Sequence, residues 1–587
     1  MSEQKIDHIR HTLAHLLASS VRDLYPGAKN TIGPAVDNGF YQDFDLGDEK
    51  ISEEDLKKIE KKMREKLKCW KEFERQEVSP EEAKKEFAWN KYKMELINEF
   101  SQDSKQLTFY TVDGFVDLCK GGHVENPSKD IKPDSFKLDR IAGAYWRGDE
   151  KNKMLTRIYG LAFESKEKLD AYKERQEEMA KRDHRKIGKE QGLWTFSEFV
   201  GAGLPLFTPK GTILRNALYE CLLEISKKHD MQPVTIPHMA KRRLYELSGH
   251  ADKFGDELLT VVSKYDEFVL KPVNCPHHTQ IYAAEPRSYR DLPLRYMEST
   301  MQYRDEQPGE IGGLTRVRAI TVDDGHIFCR IDQVEQEAQN IAEIIKEFYS
   351  DLGMWGHHWV SLSVRDPNNL DGYIGDDEDW AQAEKMLRNV SDKMGLDAKR
   401  MEGEAALYGP KLDFMFTDAL GRERQLSTIQ IDFAMPKRFG LEYTNKDGSK
   451  TTPVMIHRAI LGSYERFMAL LIEHFAGAFP TWLSPVQVKV LPVSEKHVEY
   501  AHSIHKMLKD ADIRTELDDS NETLGKKVRN AKLAKVPYWV VLGDAEMNDS
   551  TVTVEHRDKG KIGLMSIDDF VETLSEEIQS RTLQPRP

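Results

Sequence analysis

Two residue pairs near the N-terminus have the types and spacing of a metal or acid–base site. His11 and His15 stand four apart in a run with helical periodicity, Ile9 to Leu24, so one helix face would carry both. Cys119 and His123 form a Cys-x-x-x-His on a later loop, and the four together read like zinc ligands. Pair by pair, a histidine-rich helix face and an unrelated cysteine explain them equally well. Farther along, three stretches concentrate reactive side chains: Asn274-Cys275-Pro276-His277-His278; Arg304 and Glu306 with Arg316, Arg318 and Asp323-Asp324-Gly325-His326; and His457-Arg458 through Gly462 to Arg466. Arginine is a planar, permanently charged fork that matches phosphate and carboxylate oxygens. Any one of these arginines reads more simply as half of a surface salt bridge, but the ordered set does not.

The elements that must position these residues fall into three segments and a linker. Residues 1–162 open with the Ile9–Leu24 helix, continue with a charged helix from Ser52 to Glu72, and include a strand from Thr108 to Val116. Residues 163–191 are highly charged and predict an exposed linking helix, Ser165 to Gln191. Residues 192–485 hold a helix near Ile213 to His229, strands at Gln232–Ile236, Asp266–Leu270, Leu412–Phe416 and Ile429–Phe433, and a helix beginning near Gly462. Strands and helices do not alternate there, and neither a dinucleotide fingerprint nor a phosphate-binding loop is present, so an α+β domain on a largely antiparallel sheet is expected. Residues 486–587 do alternate: strand Val488–Pro492, helix Glu495–Asp510, strand Val536–Gly543, helix Asp568–Gln579, which predicts an α/β domain on a parallel or mixed sheet.

Bulk properties bound this reading. The 587 residues allow roughly three or four domains. No apolar run reaches the roughly 18 residues of a membrane span, and the N-terminus is polar and charged. Five cysteines without paired spacing argue against a disulfide framework and for a reducing cytoplasm. The net charge of −14 speaks against a nucleic-acid partner. Local basic clusters such as Lys181 to Lys186 and Lys526 to Arg529 read most simply as solvated helix faces, so charge decides nothing.

The ordered stretches resemble class II aminoacyl-tRNA synthetases. The segment ending at Pro237 resembles their motif 1, Arg304, Glu306 and Arg316 their motif 2, and Gly462 to Arg466 their motif 3. Asn-Cys-Pro at 274–276, Asp-Asp-Gly-His at 323–326 and His-Arg-Ala-Ile-Leu-Gly-Ser-Tyr-Glu-Arg at 457–466 are similar to the threonyl branch in particular, and the likeness runs over nearly the whole chain. It implies a class II antiparallel-sheet core, an N-terminal α+β editing domain and a C-terminal α/β anticodon-binding domain. The implied activity is attachment of threonine to tRNA(Thr) with ATP and Mg²⁺. Amino-acid activation brings a carboxylate onto the α-phosphorus, and positioned positive charge is what that step needs. The resemblance puts Arg304 on the α-phosphate and amino-acid carboxylate, Glu306 on the adenine amino group, Arg466 on the γ-phosphate, and Arg316 and Gln425 at the nucleotide. It makes Cys275, His326 and His457 the ligands of one zinc per chain. Asp324, Tyr408 and Gln430 line the threonine pocket, and His250 stands near the terminal ribose of tRNA. Three protein ligands leave a position open, which threonine's amino and hydroxyl groups could fill and valine could not.

In the first domain the resemblance implies an editing site of His11, His15, Lys93, Asp117, Cys119 and His123 that hydrolyses seryl-tRNA without a metal. Discrimination of serine by one missing methyl group is worth only about 1–3 kcal/mol, so a second site is needed. Asn521 and Glu546 match anticodon-reading positions, while Lys535 and Glu555 replace usual arginines. Ile320, Val322, Val273 and His277 depart from usual phenylalanine, glutamine, methionine and glycine, and bear on ATP affinity and on inhibitor binding. The resemblance further implies a homodimer, and an N-terminal ubiquitin-like domain of longer members is not expected before Met1. A non-catalytic RNA-binding regulator on the same fold is the alternative, and an intact Arg304, Arg466 and Cys/His set argues against it.

Overall fold

The computed structural model describes residues 3–102, 106–307, 309–356, 358–418 and 421–583, with the side chains of Glu3, Gln102 and Asp256 left out. The outermost residues of the expected first and last domains, 1–2 and 584–587, lie outside that range. Two compact units divide the chain, 1–178 and 179–587. All five cysteines are free.

In the first unit the Glu3–Leu24 helix buries Ile9, Leu13, Leu16, Leu17 and Val21, a three-and-four spacing that makes one apolar stripe. That stripe packs against the Leu56–Leu67 helix and against strand Gly39–Asp45. The strand belongs to a five-stranded antiparallel sheet with Lys29–Asn30, Ala35–Val36, Phe136–Tyr145 and Met154–Ala162. A second sheet joins Glu74–Val78, Leu107–Val112 and Phe115–Leu118. The strand expected over Thr108–Val116 is therefore two strands of a hairpin. Asp113 and Gly114, both at positive φ, turn the chain between them.

The second unit is built on an eight-stranded sheet in the order Gln232–Pro233, Leu294–Tyr303, Ala319–Cys329, Val454–Ala459, Glu423–Asp432, Lys411–Thr417, His358–Val364, Lys399–Glu402. Its central pairs are antiparallel, and only the two outermost pairings are parallel. Helices Pro209–Lys228, Val334–Asp351 and Tyr464–His474 contribute to its largest core. A separate five-stranded mixed sheet runs Thr515–Leu517, Val488–Pro492, Tyr538–Leu542, Thr551–His556, Gly560–Ser566, and its core takes in the helices Val498–Asp510 and Ile567–Gln579. The α+β core and the C-terminal α/β sheet are as the sequence predicts.

Two local expectations change. The run Gln232–Ile236 is a strand only at Gln232–Pro233: the Val234 N–H still reaches the Met297 carbonyl, but the Ile236 N–H turns to the Glu298 side chain instead of a neighbouring strand. The linking helix breaks at Asp183, whose side chain accepts from the Arg185 N–H and caps a second helix, His184–Glu190. That second helix is not exposed on all sides: it buries His184, Ile187 and Gly188.

Candidate active site

Antiparallel register assembles one row of polar side chains on the large sheet. Tyr296 pairs with His326, His326 with His457, and His457 with Gln430. Cross-strand partners share a face, so residues more than a hundred positions apart in sequence become neighbours. Cys275 opens the Cys275–Ala283 helix, with Pro276 in its first turn, and turns its thiol toward this row. Ligand atoms of Cys275, His326 and His457 all lie within 4.8 Å of one another, and all three residues are buried. His326 Nε2 and His457 Nδ1 face each other at 3.1 Å. His457 Nε2 lies 2.9 Å from Asp432 Oδ2, which fixes the ring with Nδ1 toward the row. Asp432 Oδ1 in turn accepts from the Ala434 and Met435 N–H groups. Burial pushes the Cys275 thiol well up and drives the His326 pKa well down, so His326 is a neutral imidazole with a lone pair to give. One thiol and two imidazoles converging on a point are the donor set that suits zinc.

The expected threonine-pocket residues border this point. Tyr408 places its hydroxyl 3.5 Å from His457 Nδ1, and its ring centroid is 4.6 Å from that of His457. Asp324 is 3.7 Å from His326 Nε2 and accepts from Asn274 Nδ2 at 3.0 Å. Buried Gln430 reaches the Gly409 carbonyl at 3.5 Å. His250 is buried, accepts or donates through Nδ1 to Ser248 Oγ at 2.9 Å, and points Nε2 at Cys275 Sγ from 3.9 Å. Burial takes its pKa down to about 3, so it is neutral.

Beside the row lies a cavity of about 430 Å³ lined by Arg304, Glu306, Arg316, Ile320, Gln425 and Arg466. Gly462, at φ +75°, makes the left-handed turn into the Tyr464–His474 helix, and its Cβ position would stand 3.2 Å from the Leu426 carbonyl. Ser463 then caps the helix by accepting from the Arg466 N–H, setting Arg466 in its first turn. Arg316 Nε donates to Glu306 Oε2 at 2.6 Å, so one carboxylate oxygen expected to meet adenine is held by a neighbouring arginine. Arg304 Nε is buried without a hydrogen-bond partner, and the guanidinium lies 5.2 Å from the Phe254 ring. Burial lowers the pKa of both Arg304 and Arg466. Several arginines turned into a cavity, one with an orphaned donor, describe a receptor for a polyanion. Gln425 donates to Asp413 Oδ1 at 2.7 Å. Ile320 and Val322 put aliphatic surface on the cavity wall.

The first unit brings its six expected residues together. His11 Nε2 is 3.1 Å from Cys119 Sγ and 3.4 Å from His15 Nε2, and Cys119 Sγ is 3.4 Å from His123 Nε2. Asp117 lies 3.0 Å from His15 Nδ1 and 2.6 Å from Lys93 Nζ. Burial opposes charge on His15, but hydrogen bonds with Asp117 and Cys119 outweigh it and raise the pKa to about 9. Burial likewise opposes ionisation of Cys119, and the three histidines overcome it and bring the thiol down to about 3. His123 goes the other way, to about 4, through burial. The cluster therefore holds an acid, a thiolate and a neutral base within contact distance.

The two expected anticodon residues differ in availability. Asn521 is exposed. Glu546 is engaged internally: Oε2 accepts from the Gly543 N–H at 2.8 Å and Oε1 from Thr553 Oγ1 at 2.6 Å. Glu555 accepts from Trp539 Nε1 at 3.0 Å, and Lys535 donates to the Ala476 carbonyl. Sequence reasoning did not single out Asp432, although it stands two residues from Gln430 and so on the same strand face. It also missed the buried pair Arg458–Asp323, in which Arg458 Nη1 meets both carboxylate oxygens at 2.8 Å. Gly325 is the signal for that pair, since a Cβ there would fall 2.5 Å from Arg458 Nε.

Three families match parts of the chain. Residues 259–475 match the tRNA synthetase class II core domain (G, H, P, S and T), residues 487–577 the anticodon binding domain, and residues 107–159 the threonyl and alanyl tRNA synthetase second additional domain. A threonine–tRNA ligase of Gloeobacter violaceus is 47% identical over 590 aligned residues, covering 99% of this chain and 93% of that one. One of Rubrobacter xylanophilus is 46% identical, covering 98% and 89%. Among solved structures, the RNA binding domain of threonyl-tRNA synthetase from Cryptosporidium parvum Iowa II aligns with a TM-score of 0.64 at 34% identity, covering 69% of this chain and 99% of that one. A prolyl-tRNA synthetase of Giardia lamblia, with a TM-score of 0.52 at 17% identity over 69% of this chain and 80% of that one, shares the fold.

Proposed function

This chain belongs to the threonine–tRNA ligase family, an ATP-dependent class II synthetase with an editing domain, and from that membership we propose how its residues divide the work. Arg304 and Arg466 bind the α- and γ-phosphates of ATP, which would enter with Mg²⁺ offsetting part of its charge. Glu306 and Arg316 hold the adenine, Ile320 packs on its face, and Gln425 orients the nucleotide. Asp324, Tyr408 and Gln430 receive threonine. Cys275, His326 and His457 would hold zinc, which when bound supplies a Lewis acid that reads the amino and hydroxyl groups of threonine. These pocket residues aim the threonine carboxylate at the α-phosphorus, with Arg304 meeting the charge that builds there. His250, neutral beside this pocket, is placed to meet the terminal ribose of tRNA when the threonyl group moves onto it.

The observation that carries this reading is the register that lines up His326, His457 and Gln430 beside an arginine-walled cavity. Residues 1–162 form the editing domain, 163–191 the linker, 192–485 the catalytic domain and 486–587 the anticodon-binding domain. In the editing domain, His11, His15, Cys119 and His123 position water for hydrolysis of seryl-tRNA, with His15 held protonated by Asp117 and Lys93 neutralising that carboxylate. Positioned acid–base groups contribute roughly 10²–10⁴-fold, enough for an activated ester. Asn521 and Glu546 contact the anticodon, Glu546 after giving up a present partner. The chain works as a homodimer through the segment ending at Pro237, in the cytoplasm; no described helix is long and apolar enough to cross a membrane.

Metal analysis and deacylation test the division of labour together. Purified protein should carry one zinc per chain, lost in Cys275→Ala, and should deacylate seryl-tRNA in the presence of a chelator. Full zinc in Cys275→Ala contradicts the catalytic ligand set. Undiminished editing in a His11→Ala, His15→Ala double variant contradicts the editing site.

A further inference from the structure

The two metal-facing histidines are backed differently. His457 leans directly on a carboxylate, Asp432, at 2.9 Å. His326 Nδ1 instead meets a second imidazole, His278 Nδ1, at 2.7 Å. His278 sits three residues after Cys275 on the same helix, hence on the same face, and is fully buried. Its other nitrogen, Nε2, lies 3.6 Å from Glu298 Oε2. Neither of those two atoms has a hydrogen-bond partner. Two buried orphans of complementary kind that face each other form a contact waiting to close. The remaining Glu298 oxygen, Oε1, accepts from the Ile236 N–H at 2.9 Å, next to Pro237.

We propose that His278 and Glu298 are positioning residues, a buried relay that fixes the tautomer of His326 and ties the zinc-binding face to the backbone at Ile236. The proposal rests on the zinc reading above. If His326 gives its Nε2 lone pair to zinc, its proton must sit on Nδ1. Nδ1–H then donates to His278 Nδ1, so the His278 proton must sit on Nε2, where it faces Glu298 Oε2. Each tautomer is dictated by the one before it, and the chain ends on a carboxylate. The shared proton could otherwise sit on either imidazole. With zinc one arrangement remains, and the contact to Glu298 shortens. Glutamine at 298 is a poor substitute: Ile236 N–H and His278 Nε2 face different carboxylate oxygens, and in glutamine one of those two positions becomes an NH₂ that donates instead of accepting. The dyad differs from Asp432 in reach, because it adds a side-chain connection from a ligand to the segment before Pro237, which the strand pairing of Gln232 with Tyr296 and of Tyr296 with His326 otherwise joins through backbone.

The test titrates zinc alone, in a chelator-buffered series, into metal-stripped full-length protein. Cys275→Ala should fail to bind. Glu298→Gln and His278→Asn should each need about 10–100-fold more free zinc, the usual effect of losing an outer-shell partner. The double variant should be no worse than either single one, because a relay is broken once. In unsubstituted protein, zinc should slow hydrogen exchange at the Ile236 amide, a readout that needs no variant to fold. Unchanged zinc affinity in Glu298→Gln, additive losses in the double variant, or exchange at Ile236 indifferent to zinc would each overturn the relay while leaving the ligand set standing. Normal zinc binding by Cys275→Ala would overturn the ligand set, and the relay with it.

Discussion

Replacing Arg304 with alanine should separate activity from stability. Its Nε is buried without a partner, and burial lowers its pKa, so the folded protein gains little from the charge. The neighbouring contact to Phe254 is a cation–π approach at 5.2 Å, worth about 0.5–1 kcal/mol at most in a half-open site. Arg304→Ala should therefore shift stability by less than about 1 kcal/mol. Catalysis should behave otherwise. Loss of one preorganised donor to developing charge typically costs about 2.7–4 kcal/mol, or 10²–10³ in rate. A guanidinium that meets both the α-phosphate and the threonine carboxylate supplies two such contacts, so the loss should reach roughly 10⁴ or more. Arg304→Lys keeps the charge but not the fork, and should recover little. The assay is threonine-dependent ATP–pyrophosphate exchange, read as kcat/KM beside a thermal melt of the same preparation. Exchange surviving above a tenth of the unsubstituted rate would refute the role given to Arg304. Activity and melting temperature falling together would refute the claim that the site stores an unpaired charge for its substrate.

Ile320→Phe should tighten ATP, since an aromatic face adds about 0.5–1.5 kcal/mol beyond area burial; unchanged ATP affinity would mean that another residue covers the adenine. In the editing cluster, the His15 pKa stands at about 9 in the folded chain against an ordinary 6.5. Its stabilisation is therefore fully present below pH 6.5 and fades as pH rises through 9, about 3 kcal/mol in all. Hydrogen-exchange protection of the Glu3–Leu24 helix should fall between pH 7 and pH 10 in the unsubstituted chain and fall less, and at lower pH, in Asp117→Asn, where Cys119 alone still raises the His15 pKa. The same pH response in both proteins would show that Asp117 is not what keeps His15 protonated.

The chemistry was legible in the sequence where residues are consecutive or lie in ordered stretches. Gly462 with Arg466, and Arg304 with Glu306, stand on single turns or strands, and the spacing of His11 and His15 announces a shared helix face. Contacts made by strand register were not legible. His326 and His457 meet because two antiparallel strands pair in one particular register, and a slip of either strand by one residue would turn its histidine to the other face. Asp432 and Glu298 were missed, and His278 was named in its stretch without a role, for the same reason: each looks like an ordinary core or surface residue until the sheet and the Cys275–Ala283 helix bring it behind a ligand. The linker was misread because charge dominates its composition, while two small features, the Asp183 cap and buried Ile187, decide where it breaks and docks. The Glu546 position was legible only as a position. Its occupation by Gly543 and Thr553 is a matter of the local turn.

The central claim is that one pocket reads both the hydroxyl and the size of threonine, and pyrophosphate exchange by the unsubstituted protein with three amino acids tests it most directly. Threonine should drive exchange with ATP and Mg²⁺. Serine, which lacks one methyl group, should follow about 10–200-fold behind, and valine, which offers no hydroxyl, should fall about 10⁴–10⁵-fold behind. Exchange driven by serine but not by threonine, or valine within tenfold of threonine, would contradict the account.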